Sequence, residues 1–104
     1  METYDVRYSQ SAENDLLDIF LYITMELSEP SVALSLLDII DRKIEDLSSL
    51  PHRCPLVDDE RLAAIGYRKL HIKNYIAFFT IDDTTQTVYI ERILYARRDW
   101  LNIL

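Results

Sequence analysis

The feature that most constrains the fold is a change of sequence character after Gly66, the only glycine of the chain. Three strand-length segments follow, each rich in β-branched and aromatic residues: Tyr67–Ile72, Tyr75–Ile81 and Thr87–Tyr95. The links between them are short and contain Asn and Asp, which tolerate turn conformations. Because successive strands joined by short turns pair antiparallel, this pattern predicts a three-stranded antiparallel meander.

The start of the chain predicts one strand followed by a helix. Tyr4–Tyr8 alternates large apolar and charged residues, the period of two that is typical of a strand with one buried face. A helix begins at Ser9 or Ser11, either of which suits an N-cap, and runs to about Leu27. Its apolar stripe consists of Leu16, Phe20, Ile23 and Leu27, and the acidic residues Glu13, Asp15, Asp18 and Glu26 mostly fill the other positions.

A second helix is predicted from Pro30, since proline is tolerated in the first turn of a helix. Its apolar stripe is formed by Ala33, Leu36, Leu37, Ile40, Ile44 and Leu47. Pro51 ends this helix, and residues 51–65 show no sustained period, which predicts an ordered loop. Two helices joined by a short link form an αα-hairpin.

The predicted element order is therefore strand, helix, helix, strand, strand, strand. The first strand must join the meander, because it would otherwise leave an apolar face exposed. We expect an α+β fold in which one antiparallel sheet packs on two helices. At 104 residues, the chain predicts a single domain that spans residues 1–104.

Charge is distributed unevenly along the chain, whose net charge is -7. Residues 1–60 carry fourteen acidic and four basic side chains, whereas residues 61–104 carry four acidic and seven basic ones. The helical half is therefore acidic and the sheet half is basic. We expect the chain as a whole to be repelled by nucleic acids and anionic membranes, so a polyanion would bind only at a local patch of the sheet.

The chain carries no sign of a cofactor, a metal site or a membrane segment. One glycine excludes the dinucleotide and P-loop fingerprints, and the single cysteine, Cys54, excludes both an intramolecular disulfide and a zinc site built from cysteines. His52 and Cys54 are two ligands at most, and we expect them to pack in an ordinary loop. The N-terminus lacks the features of a signal peptide, and no apolar run is long enough to span a bilayer, which predicts a soluble, cytoplasmic protein.

Two basic groups are candidates for binding phosphate. Tyr67, Lys69, His71 and Lys73 alternate along one strand and therefore share one face, opposite Arg68, Leu70 and Ile72. Such a row can bind phosphates, or it can be a solvated face that balances an acidic protein. Arg97 and Arg98 follow the last strand, where paired guanidinium groups can clamp a phosphate or form salt bridges.

The C-terminal half resembles one family of proteins. Gly66-Tyr-Arg-Lys-Leu70, Asn74-Tyr-Ile-Ala-Phe-Phe79, an acidic turn, and the run from Val88 to Trp100 are similar to the pattern of the RelE/ParE superfamily of toxins from type II toxin–antitoxin systems. The early strand, the start of the first helix, the apolar second helix and the Pro-His-Arg-Cys-Pro segment from Pro51 are also similar to members of this superfamily. The resemblance covers nearly the whole chain and rests on the ordered set of features.

The resemblance implies a toxin that arrests cell growth and is held inactive by a cognate antitoxin, whose flexible segment wraps the toxin. It also implies that toxin and antitoxin can assemble into a higher-order complex. RelE-like members cleave mRNA in the ribosome without a metal, using basic side chains on the phosphate and an acid and a base for proton transfer. ParE-like members poison DNA gyrase and have no known hydrolytic site.

Residue by residue, the resemblance gives mixed indications of nuclease activity. Arg68 and Arg98 match basic positions of the nuclease pattern, whereas Leu70 stands where a second cation is frequent. Ile76 stands where these nucleases carry an arginine, and one such donor is commonly worth roughly 10² to 10³ in rate. Tyr95 takes the place of a frequent histidine. The candidate catalytic residues are therefore Arg68, His71, Tyr95, Arg97 and Arg98, for phosphate binding or proton transfer.

Three functions remain open from the sequence. The net negative charge and the residue at position 76 favour a ParE-like toxin that acts by binding DNA gyrase. The alternatives are a RelE-like, ribosome-dependent endoribonuclease and a chain that has lost toxicity but still binds the antitoxin. Contacts with the target are expected from Lys69, Lys73, Arg97, Arg98 and Trp100.

The C-terminal residues Trp100, Leu101, Ile103 and Leu104 have two interpretations. They are either an exposed apolar patch for the antitoxin or a segment that folds onto the core.

Overall fold

The computed structural model of the protein describes residues 3–104. The regular elements in chain order are β1 (Asp5–Tyr8), α1 (Gln10–Leu21), α2 (Pro30–Glu45), α3 (Glu60–Ala64), β2 (Arg68–Ile72), β3 (Tyr75–Asp82) and β4 (Thr87–Tyr95). Tyr22–Glu26 continues α1 as a π-helical turn, and single 3₁₀ turns lie at Asp46–Ser48, Pro51–Arg53 and Trp100–Asn102. The α+β fold with a helical hairpin before a meander is confirmed.

The four strands form one sheet in the order β1-β4-β3-β2. Strands β2, β3 and β4 pair antiparallel as the sequence predicts, but β1 pairs with β4 in parallel, from Asp5 opposite Thr87 to Tyr8 opposite Ile90. The prediction of a wholly antiparallel sheet is therefore wrong. Parallel neighbours need a long crossover, and the helical hairpin that follows β1 provides one. The period of two in Tyr4–Tyr8 marks the buried face of a strand and carries no information about its direction.

Ser9 fixes the start of α1. Its hydroxyl oxygen accepts a hydrogen bond from the Ala12 amide at 3.0 Å, which is the N-cap interaction, and donates one to the carbonyl of Glu91 at 2.8 Å. The Ser9 amide also donates to the carbonyl of Ile90. The cap therefore starts the helix and at the same time fastens it to β4.

The second helix forms as predicted, with Pro30 in its first turn. Its buried residues Ala33, Ile40 and Ile44 lie on the predicted stripe, and Leu47 extends this stripe into the following turn. Within residues 3–104, no helix combines the length and the apolar character needed to cross a membrane.

Apolar side chains cover both faces of the sheet. The larger group, the helix-side core, lies between the sheet and the helices and includes Ala12, Ile19, Ala33, Ile40, Ile44, Phe79, Val88, Ile90 and Ile93. The smaller group, the outer cluster, lies on the opposite face and consists of Val57, Leu62, Ile76, Phe78 and Leu94, with Tyr67, Ala96, Trp100, Ile103 and Leu104 packed against them. Phe78 and Phe79 are both fully buried because neighbouring strand residues point to opposite faces.

Residues 51–65 are more structured than the predicted loop. They contain α3, whose N-cap Asp59 accepts a hydrogen bond from the Leu62 amide at 3.0 Å. Leu56 forms an isolated bridge with Arg68, and the Val57 amide donates to the carbonyl of Tyr67, so this segment covers part of the edge of β2. A helix of five residues is too short to show a sustained helical period in the sequence.

The C-terminal segment packs on the sheet. The ring of Trp100 lies 5.0 Å from that of Phe78, and Ile103 and Leu104 join the same outer cluster. Leu101 remains exposed. Of the two interpretations of this segment, the structure therefore favours folding onto the core.

The hydrogen bonds of Asp83 predict an acid-dependent loss of stability. The Tyr4 hydroxyl donates to its Oδ1 at 2.7 Å, and His52 Nε2 lies 3.1 Å from its Oδ2. The bond from Tyr4, together with the His52 contact, holds the pKa of Asp83 below its ordinary 3.8. A carboxylate whose pKa is lower in the folded state stabilises the fold above its unfolded pKa and loses this contribution as the pH falls through the folded pKa.

We therefore expect Asp83→Asn to lower the Tm near neutral pH, with a difference from wild type that shrinks below about pH 4. Thermal denaturation of both proteins between about pH 7 and about pH 2 tests this expectation, because the stabilisation by the Asp83 carboxylate is lost as the pH falls through its folded pKa. A difference that is equal at both ends of this range would contradict it.

Candidate functional site

An open groove lies between the first helix, the start of β3 and the end of β4. Its volume is about 500 Å³, and it is lined by Asp15, Asp18, Ile19, Tyr22, Tyr75, Ile93, Leu94, Tyr95 and Arg98. The groove arises because β1 pairs with β4 only as far as Ile90, whereas β4 continues to Tyr95. Beyond Ile90, α1 takes the place that a neighbouring strand would occupy.

Asp15 and Arg92 join α1 to this edge of β4. The two carboxylate oxygens of Asp15 accept hydrogen bonds from Arg92 Nε and Nη2, both at 2.8 Å, and Oδ2 also accepts one from the Ile93 amide at 2.9 Å. This contact with the carboxylate raises the pKa of Arg92. The helical pattern predicts a polar position for Asp15, but the side chain is buried and serves as the hydrogen-bonding partner that β4 lacks.

Tyrosine side chains form much of the lining of the groove. The rings of Tyr75 and Tyr95 are neighbours across the β3–β4 pair and meet edge to face at 5.8 Å. Burial raises the pKa of Tyr75, and the nearby phenols of Tyr95 and Tyr22 raise it further. The Tyr75 phenol therefore stays protonated at neutral pH and can donate a hydrogen bond.

The paired arginines lie in the turn after β4. Both Arg97 and Arg98 are exposed, and the amide of Arg98 donates to the carbonyl of Tyr95 at 3.0 Å. Arg98 lines the groove, opposite Asp18 on the helix. Within residues 3–104, neither guanidinium group lies within 4.0 Å of a carboxylate, although the chain as a whole has an excess of acidic residues.

Of the candidate catalytic residues, Tyr95 and Arg98 line the groove and Arg97 lies beside them in the turn after β4, whereas Arg68 and His71 are separated from them. Arg68 Nη1 donates to the carbonyls of His52 and Cys54, at 3.2 and 2.6 Å, and so fastens the preceding loop to β2. Arg68 is paired with Phe79, whereas Tyr95 is paired with Tyr75. These pairs are four residues apart along β3, which is about 13 Å in the strand direction.

The basic row of β2 lies on the outer face of the sheet. Tyr67 packs against the outer cluster, and Lys69 Nζ lies 3.8 Å from a carboxylate oxygen of Asp58. His71 and Lys73 are exposed. His71 is paired with Ile76, whose side chain belongs to the outer cluster, whereas Tyr95 neighbours Tyr75 on the helix side. His71 and Tyr95 therefore cannot share one substrate on one face of the sheet.

The helix wall of this groove was not predicted from the sequence. Asp15, Asp18, Ile19 and Tyr22 are spaced at i, i+3, i+4 and i+7, which places them on one face of a helix. This shared face, which mixes polar, apolar and aromatic side chains, is the sequence feature from which the helix wall could have been predicted. Among residues 3–104, histidine, cysteine and carboxylate side chains form no group of three that could hold a metal ion.

A second, smaller groove runs between the two helices. Its volume is about 350 Å³, and it is lined by Leu16, Leu17, Phe20, Leu37, Asp38 and Asp41. The hydroxyl of Tyr8 donates to Asp41 at 2.7 Å, and burial, together with this contact, raises the pKa of Tyr8. The hairpin also exposes large apolar side chains: Leu17, Leu21, Tyr22, Met25, Leu27, Val32 and Leu34.

Comparison with solved structures shows the same fold in toxin–antitoxin systems. The chromosomal ParDE system of P. aeruginosa contains a chain with a TM-score of 0.76 and 19% identity, over 93% of this chain and 100% of that one. The RelBE2 toxin–antitoxin complex of Mycobacterium tuberculosis contains a chain with a TM-score of 0.64 and 24% identity, over 91% of this chain and 93% of that one. No curated protein matches the sequence significantly.

The sequence also matches a family model, described as the ParE toxin of the type II toxin–antitoxin system parDE, over residues 6–100. The resemblance to the RelE/ParE superfamily is thereby confirmed. Because the match extends from β1 to the C-terminal turn, the chain belongs to the ParE toxin family of type II toxin–antitoxin systems.

Proposed function

We propose that this toxin arrests growth by binding DNA gyrase and that it does not cleave mRNA. The observation that carries the proposal is the environment of Ile76, the position at which the nuclease pattern has an arginine. Ile76 is buried in the outer cluster beside Phe78 and Leu94, with Trp100 packed against the same group. Ile76 is only 4% exposed and carries no charge, so this position gives a phosphate neither access nor the cation that the nuclease pattern supplies there.

The remaining candidate catalytic groups do not form an acid–base arrangement. A general acid or base must lie within about 2.6 to 3.2 Å of the atom it protonates or deprotonates, directly or through one water. Tyr95 and His71 are on opposite faces of the sheet, and Arg68 is engaged by loop carbonyls. The arrangement supports a binding function better than an in-line cleavage of RNA.

Electrostatics support the same function. A nuclease that enters the ribosome gains affinity from a basic surface, because each contact with phosphate releases counterions. This chain carries a net charge of -7, and two of its basic residues in the sheet half, Lys69 and Arg92, lie close to the carboxylates of Asp58 and Asp15. Binding to a protein target requires less positive surface charge than binding to a polyanion does.

The partner that neutralises the toxin is proposed to bind the helical hairpin. The groove between the helices and the exposed apolar side chains around it suit an amphipathic helix. The acidic rim formed by Asp38 and Asp41 would favour a helix with basic residues along its edges. The similar RelBE2 structure is that of a toxin–antitoxin complex, and we propose that a cognate antitoxin is the occupant here.

Expression of the chain alone in a bacterial host tests the proposed target. We expect growth arrest, induction of the SOS response and intact mRNA, because a poisoned gyrase leaves broken DNA. With purified components, the toxin should convert supercoiled plasmid to linear DNA in the presence of gyrase, and topoisomerase I should give no such product. Arrest with cleaved, translated mRNA would contradict the proposal and support a RelE-like nuclease. Failure of the soluble, folded chain to arrest growth would support a role in antitoxin binding alone.

A further inference from the structure

The groove beside α1 combines three features that suit an extended peptide. The first is a strand edge that no other strand covers, since no strand within residues 3–104 pairs with β4 beyond Ile90 on the α1 side. On this edge the Ile93 amide donates to Asp15 and the Tyr95 carbonyl accepts from the Arg98 amide. A peptide that enters the groove can therefore lie alongside the end of β4, near Tyr95, without displacing another strand.

The second feature is the apolar base of the groove between polar walls. Ile19 and Ile93 are buried in the helix-side core and line the groove together with the tyrosines. Tyr22 and Tyr95 leave about half of their surfaces exposed, 56% and 43%. Aromatic side chains with free hydroxyls give large contact areas with little loss of conformational entropy on binding. No other residue in the range 3–104 hydrogen-bonds to the hydroxyls of Tyr22, Tyr75 or Tyr95.

The third feature is a separation of charge across the groove. Arg98 stands at the strand wall and Asp18 at the helix wall, and neither forms an ion pair within residues 3–104. A nucleic acid places a negative charge on every nucleotide and would meet Asp18 as well as Arg98. A peptide can instead place a carboxylate at one end and a cation or an amide donor at the other, so the charges favour a peptide.

We propose that this groove is the site at which the toxin engages its target, by receiving an extended segment of the target protein. A carboxylate of that segment faces Arg98, an apolar side chain packs on Ile19 and Ile93, and a cationic or amide group faces Asp18. This inference rests on the proposed function, since it locates the contact with gyrase. It assigns that contact to the helix-side groove, whereas the expected contacts Lys69 and Lys73 lie on β2 and in the turn after it.

Photocrosslinking locates the contact directly. The photoreactive residue p-benzoylphenylalanine replaces Tyr22 in one variant and Tyr89 in another, and each variant is irradiated with purified gyrase subunits. Tyr89 is a matched control because it is also exposed, yet it lies on β4 outside the groove and is paired with Arg7 of β1. We expect a toxin–gyrase adduct from position 22 and none from position 89.

Charge reversal at Arg98 tests whether a carboxylate of the bound segment faces this residue. Arg98→Glu is expected to weaken binding to purified gyrase by about tenfold or more, because it opposes the carboxylate of the bound segment. Arg61→Glu is the control, since Arg61 is exposed on α3 and does not line the groove. Unchanged circular dichroism and Tm establish that both variants fold.

The outcomes separate this inference from the proposed function. If the wild-type toxin does not associate with gyrase, the proposed function fails and this inference fails with it. If wild type associates but Arg98→Glu binds equally well, or the adduct forms only from position 89, the inference alone is overturned. An adduct from position 22 with weakened binding of Arg98→Glu supports both.

Discussion

Replacing Asp15 with alanine is expected to lower the free energy of unfolding by about 3 to 5 kcal/mol, the usual cost of removing one partner of a buried ion pair. For a domain of this size, such a loss corresponds to a decrease in Tm of more than about 10 °C. Asp15 is only 6% exposed and accepts three hydrogen bonds, two from Arg92 and one from the Ile93 amide. Alanine leaves the guanidinium group without its counter-charge and the amide without an acceptor.

Asp18 provides the matched control for this prediction. It lies one turn further along the same helix and is exposed, so Asp18→Ala is expected to change the free energy of unfolding by no more than about 0.5 kcal/mol. Chemical denaturation of both variants gives the comparison. If Asp15→Ala unfolds within about 1 kcal/mol of wild type, the pair behaves like one on the surface, and the close attachment of α1 to β4 is wrong.

A double replacement separates the net contribution of the pair from the cost of breaking it. Asp15→Leu with Arg92→Met removes both charges and supplies apolar volume. We expect the double variant to recover much of the stability that Asp15→Ala loses, because paired apolar side chains often replace a buried ion pair with little net change. The Ile93 amide remains without an acceptor in this variant, which limits the recovery.

Much of the fold follows from patterns that are local in sequence. The stripe from Ala33 to Leu47 and the proline at position 30 predict α2 correctly, and the three segments after Gly66 form the predicted strands. The parallel pairing of β1 could not be predicted in this way. Its neighbour β4 is about eighty residues away in sequence, and the alternation of side chains is the same for either direction of a strand.

The site was harder to predict than the fold because its main contacts are also distant in sequence. Asp15 and Arg92 are separated by 77 residues, and a single aspartate among helical acidic residues looks like part of a solvated face. Basic residues were predicted to bind phosphate because of their type. Arg68 instead donates hydrogen bonds to the carbonyls of His52 and Cys54 and so fixes the preceding loop. These carbonyls come within reach of Arg68 only in the folded chain.

The second large effect is expected from deletion of Trp100–Leu104. Trp100, Ile103 and Leu104 are partly buried on the outer cluster. Taking about half of the value for full burial of three such side chains, we expect a loss of roughly 2 to 5 kcal/mol in the free energy of unfolding. The truncated chain also exposes Ile76 and Phe78, so it should bind the dye ANS more strongly than wild type.

Chemical denaturation of the truncated and full chains measures this loss, and Leu101→Ala is the control. Leu101 belongs to the same segment but is 43% exposed, so its truncation removes little buried surface and should change stability by no more than about 0.5 kcal/mol. A truncated chain as stable as wild type would contradict the prediction and restore the interpretation of this segment as a docking patch. A destabilised but folded chain, with a Tm lowered and ANS binding raised, would mean that the segment closes the outer face over Ile76, where the nuclease pattern has its arginine. The same packing that stabilises the sheet would then also keep RNA from that face.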